Sequence, residues 1–207
     1  MILTLFHKIN IFAIVSYFNF AAIINEMGFI SKSILKVFGW KALYTVKEPL
    51  DTYIIIVAPH TSFWDFIIGR LTMSALNLHG KFLIKKEMFK FPVKQLLKWA
   101  GGIPVDRGQG SNVIKPVVEL LKKSHNFGIV ITPEGTRKYT TKWKKGYYFI
   151  AHAANVPIAL GYVDYAEKVC CVADVLHTTG NYEADFEIIQ DFYRDRVARH
   201  PERFNLS

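Results

Sequence analysis

The chain has 207 residues, with 26 Lys and Arg against 17 Asp and Glu and a formal net charge of +9. That length suits one domain with a real core and is too short for two ordinary ones. The charge calls for an anionic partner, whether lipid, a phosphate-bearing substrate or nucleic acid, while two adjacent cysteines, Cys170 and Cys171, give neither a disulfide framework nor zinc-ligand spacing and suit a reducing compartment.

Hydrophobic residues make up 51% of the chain, and much of the excess lies near the N-terminus. From Ile9 to Ile24 no residue is charged, but Asn10, Ser16 and Asn19 interrupt the run, which falls short of the ~20 apolar residues that span a bilayer. An interfacial or re-entrant helix fits it better, with Lys8 before it and Lys32, Lys36 and Lys41 after it to meet anionic lipid. A cleavable signal peptide and an ordinary buried first helix are the competing readings. Residues 1–41 are therefore expected to form a helical membrane-docking segment and residues 42–207 the main domain.

Within that domain "TYIIIVA" (52–58) reads as a strand buried on both faces, ending at Pro59, with a helix starting near Ser62. "KFLIK" (81–85) reads as a strand, residues 87–102 as helical pieces broken at Pro92 and stopped at Gly101, and "NVIKPVVELLKKSH" as a helix with Pro116 in its first turn. "GIVITPEG" is a further buried strand, 147–155 a helix, "VPIALGYVDY" and "KVCCVADVL" strands, and "DFEIIQDFYRDRVARH" (185–200) an amphipathic helix. Strands alternating with helices predict a single α/β domain with a largely parallel sheet flanked by helices, preceded by the N-terminal membrane-interface segment.

Candidate chemistry begins at "APHTSFWDF". A His and an Asp five apart on one helix would sit about 140° apart around its axis and could not touch. Here Pro59 disfavours helix before it and Ser62 with Asp65 matches a capping box, so His60 falls in the turn and Asp65 in the first helical turn. A carboxylate on one imidazole nitrogen leaves the other free to take a proton from a hydroxyl, which is general-base chemistry without a protein nucleophile. The alternative is that Asp65 only caps the helix. Backbone amides at the helix start are the expected donors to a reaction oxyanion. "GGIPVDR" places Arg107 where a fixed cation can meet a phosphate, or is an ordinary loop. "TPEGTRK" packs Glu134, Gly135, Thr136 and Arg137 behind a buried strand, suited to a polyol phosphate or equally to a salt-bridged turn. "TKWKKG" around Trp143 reads as a solvated basic loop or a membrane-interface element. The basic residues are scattered and form no nucleic-acid module, so no nucleic-acid partner is expected.

In this order "HTSFWD", "GGIPVDR", "PEGTR" and "VPIAL" resemble the four sequence blocks of the glycerolipid acyltransferase superfamily, whose type members are lysophosphatidic acid (1-acylglycerol-3-phosphate) acyltransferases; the resemblance runs from about residue 52 to 165. It implies an O-acyltransferase that moves a fatty acyl group from acyl-CoA or acyl-carrier protein to the hydroxyl of a lysophospholipid at the cytoplasmic face of the membrane. His60 would be the general base and Asp65 its partner, with Arg107, Glu134, Gly135, Thr136 and Arg137 binding the glycerol phosphate. The thioester is a co-substrate, and no metal or other cofactor is implied. Two positions depart from the blocks: Ala159 and Leu160 follow "VPI" where a second proline is usual, and Pro59 precedes the histidine where Asn is common. A different lipid acceptor, such as an aminolipid hydroxyl, and a basic membrane-binding protein without catalysis are the alternatives.

Overall fold

The computed structural model describes residues 27–99, 101–105 and 114–206. Most of the expected docking segment, including the Ile9–Ile24 run, and Arg107 lie outside the described residues.

Seven strands form one sheet: β1 Lys41–Tyr44, β2 Thr52–Ala58, β3 Gly80–Lys85, β4 Gly102–Val105, β5 Phe127–Ile131, β6 Ile158–Asp164 and β7 Val169–Leu176, in the order β1-β7-β6-β2-β5-β3-β4. β6, β2, β5, β3 and β4 run parallel; β7 is antiparallel to β6, and β1 pairs parallel with β7. β2 explains the central position its composition suggested. Its alternate side chains Ile54, Ile56 and Ala58 pack into one apolar cluster, and Tyr53 and Ile55 into another on the opposite face. Burying each such isoleucine stabilises the fold by about 1.5–3 kcal/mol.

Helices cover both faces. A helix over residues 27–37 (α1) and α2 Phe63–Ala75 lie on one side, where Leu35 and Ile68 meet Val163 and Cys170. On the other side α4 Ile114–Lys123, α5 Gly146–Ala154 and α6 Tyr182–Tyr193 bury Leu121, Tyr147 and Ile189 against β2, β5 and β6. The short α3, Val93–Trp99, links β3 to β4 after a 3-10 turn at Lys86–Met88. Pro116 sits in the first turn of α4, where its missing N–H costs nothing.

Two expectations need correction, and one element was missed. The last helix starts earlier and stops at Tyr193 rather than continuing to residue 200, because Asn181 caps it and the residues beyond turn back to bond other loops, Val197 N–H to Asp164 and His200 N–H to Thr61. Residues 41–44, to which the sequence reading assigned no element, form strand β1 at the sheet edge. Trp143 is not at a membrane interface: it is 5% exposed, donates its indole N–H to Asn205 O, and packs on Phe186, Tyr193 and Phe204.

One sheet feature bears on the site. β6 carries an irregularity between Leu160 and Gly161, and the buried hydroxyl of Tyr193 lies 2.9 Å from both Ile56 O and Gly161 O. A helix on one face thereby joins carbonyls of the two central strands. Ala159 and Leu160, the residues that depart from the fourth block, lie mid-strand beside Ile55 and Ile56; a proline there would delete a backbone donor from a central strand.

Candidate active site

The loops that leave the C-terminal ends of β6, β2 and β5, three adjacent strands, carry Tyr165, His60 and Glu134. Such strand ends are where open parallel sheets place their ligands. Ser62 is the N-cap of α2 in extended conformation, and with Asp65 it forms the expected capping box. Asp65 performs both roles the sequence left open. Its Oδ2 accepts the N–H groups of Thr61 and Ser62, each at 2.8 Å, and also lies 3.2 Å from His60 Nδ1. A carboxylate only accepts, so the neutral imidazole carries its proton on Nδ1 and leaves Nε2 as the acceptor. The Asp65 side chain is 2% exposed and that of His60 18%, enough for a substrate to reach the ring. Burial pushes the Asp65 carboxyl up, but the bonds from His60, Tyr165 and the Ser62 amide outweigh it, and the group stays below its ordinary range.

Glu134 stands beneath this turn. It is 3% exposed, its Oε1 accepts the His60 backbone N–H at 2.7 Å, and its Oε2 has no partner among the described residues. Burial is the main cause that raises it to about 8, with the negative charge of Asp65 adding to the shift and backbone N–H bonds opposing it. At neutral pH it is mainly protonated. Gly135, at φ +65, turns the chain next, and a Cβ there would stand 3.2 Å from the Lys144 side chain. Thr136 Oγ1 accepts the Lys138 N–H, and Arg137 is exposed. Direct bonds thus bring together His60, Asp65 and Glu134, with Gly135, Thr136 and Arg137 following in the same turn.

Four of the amides at and before the start of α2 are already engaged. Those of His60, Thr61, Ser62 and Trp64 are committed to Glu134, Asp65, Asp65 and Ser62, so these four are not the expected donors to an oxyanion. Sequence reasoning also missed Tyr165, whose hydroxyl donates to Asp65 Oδ1 at 2.6 Å across 100 positions of sequence. No spacing rule connects such residues. Beside Tyr165 an apolar groove of about 390 Å³ opens between α1 and α2, lined by Ile34, Phe38, Trp64 and Ile67 with Lys168 and Arg199. Among the described residues no cluster of His, Cys, Asp and Glu could hold a metal ion, and no helix is long and apolar enough to cross a membrane.

The site thus sets a buried carboxylate against a partly exposed imidazole at a helix N-terminus, on the ends of an α/β sheet. The acyltransferase family model matches residues 42–159, more than half of the chain, and the chain belongs to that family: it is an acyltransferase. Among solved structures, the 1-acyl-sn-glycerophosphate (LPA) acyltransferase PlsC from Thermotoga maritima shares the fold, with a TM-score of 0.57 and 16% identity over 86% of this chain and 82% of that one. Comparison with curated proteins finds no match.

Proposed function

We propose that the protein transfers a fatty acyl group from acyl-CoA or acyl-carrier protein to the free hydroxyl of a lysophospholipid, 1-acylglycerol-3-phosphate, to give phosphatidic acid. The observation that carries this reading is the His60–Asp65 pair, with Nδ1 held 3.2 Å from a buried carboxylate and Nε2 left as the acceptor. His60 Nε2 takes the proton of the acceptor hydroxyl as its oxygen attacks the thioester carbonyl carbon. The C–O bond forms, the C–S bond breaks, and the thiolate leaves and recovers the proton from the imidazolium. Asp65 stays ionised and stabilises the imidazolium between the two steps. Thr136 and Arg137, with Arg107, supply donors and charge for the acceptor phosphate, in keeping with a net charge of +9. The groove beside Tyr165 has the apolar lining an acyl chain requires.

Both thioester donors are cytosolic, which puts the reaction at the cytoplasmic face of the membrane. A lipid-facing edge is in keeping with the surface: after the ends of β2 and β3, Phe63, Trp64, Met88 and Phe91 are exposed, with Lys86 and Lys90 beside them. Apolar side chains among cations suit an anionic bilayer surface, and the segment before residue 42 is proposed to add to the same contact. The test is mass-spectrometric detection of phosphatidic acid from lysophosphatidic acid and an acyl-CoA, with acyl-carrier protein as a second donor. Product from the wild type and none from His60→Ala is expected; folded wild-type protein that makes no product with either donor refutes this acceptor.

A further inference from the structure

Three donors load one oxygen of Asp65: His60 Nδ1 and the amides of Thr61 and Ser62 all face Oδ2. The other oxygen, Oδ1, receives the hydroxyl of Tyr165 at 2.6 Å, the short distance of a charge-assisted O–H···O⁻ bond. The terminal torsion of an aspartate is a broad well, so a carboxylate bonded on one oxygen alone can rock and carry Oδ2 away from the ring. We propose that Tyr165 is a positioning residue of the His60–Asp65 pair, pinning the carboxylate plane through Oδ1 so that Oδ2 stays on His60 Nδ1.

Tyr165 is itself well fixed. Its backbone N–H donates to Val197 O at 2.9 Å, Trp40 meets its ring edge-on at 5.0 Å between centroids, and the Arg199 guanidinium lies 5.9 Å from its ring centroid. Burial and the charge of Asp65 raise the phenol far above its ordinary range, with Arg199 opposing, so the hydroxyl remains a donor at any working pH. The titratable and charged groups that act on the Tyr165–Asp65 link are His60, Glu134, Cys170 and Arg199, and Lys168 shares the adjoining groove. Tyr165 lies after the fourth block, which places this role outside the motif residues.

The effect on rate rests on the acyl-transfer reading; the effect on geometry does not. Tyr165→Phe keeps the ring and its contact with Trp40 and deletes only the donor. We expect kcat to fall about tenfold with KM nearly unchanged, the consequence of losing one charge-assisted hydrogen bond that orients the base. Independently of turnover, the low-field NMR resonance of the His60 Nδ1 proton, assigned by its absence in His60→Ala, broadens into solvent exchange. A kcat loss with this resonance unmoved gives Tyr165 a packing role and overturns the proposal, as does an unchanged kcat. Wild-type protein without turnover sinks the acyl-transfer reading instead, and the imidazole proton then decides the part of Tyr165 alone.

Discussion

Replacing Asp65 by Asn separates the two roles of this side chain. The amide can flip so that its oxygen keeps the donors now on Oδ2, namely Thr61 N–H, Ser62 N–H and His60 Nδ1, while its NH₂ faces the Tyr165 hydroxyl. The helix cap therefore survives and only the charge is lost. At the observed 3.2 Å between His60 Nδ1 and Asp65 Oδ2, a unit charge pair at an effective dielectric of about 20 interacts by roughly 5 kcal/mol. Some of that returns through solvent on the partly exposed imidazolium, so a barrier increase of about 4 kcal/mol, near a thousandfold in kcat, is expected. Release of the thiol product, followed with a chromogenic disulfide, gives kcat. The loss of charge at the α2 N-terminus costs about 1 kcal/mol, a drop of roughly 2–4 °C in Tm. An Asp65→Asn enzyme within tenfold of wild type refutes the electrostatic role and leaves Asp65 as a cap.

Glu134→Gln imitates the protonated acid while keeping its acceptor on the His60 amide, so activity at neutral pH stays within a few-fold of wild type. Because the folded Glu134 is raised to about 8, the folded state holds a proton that the unfolded chain releases near the ordinary value of about 4.3. Stability from this group is full below that value and declines as pH rises through 8; thermal melts should show a slope across this window that the Gln variant lacks, and equal slopes contradict the assignment. Tyr193→Phe removes the hydroxyl that reaches Ile56 O and Gly161 O and should lower unfolding stability by about 1–3 kcal/mol. Urea denaturation measures it, and a change under about 0.5 kcal/mol means the bridge contributes nothing.

The strands that were easiest to read are the ones whose environment is uniform. "TYIIIVA" is apolar throughout because neighbours cover both faces of β2, and the His60–Asp65 pair was visible because capping chemistry fixes a local turn. β1 was hidden: its four residues are mostly exposed at the sheet edge and carry no pattern. The end of α6 was misplaced for a related reason. Helical periodicity continues past Tyr193, yet the tail is held by Asp164 and Thr61, partners more than thirty positions away that no local pattern contains. The commitment of the His60 amide was equally illegible, because it depends on Glu134, 74 positions away.

That tail sets an order of assembly. Val197 O receives the Tyr165 amide, Val197 N–H reaches Asp164, and His200 N–H reaches Thr61 beside the imidazole. Translation delivers the chain from its N-terminal end, so β2, α2 and the His60 turn exist for some time before residues 197–200 arrive to lock the loops around them. The nascent chain therefore forms the His60 turn well before residues 197–200 hold it, and the loops around it are seated only after those residues have emerged.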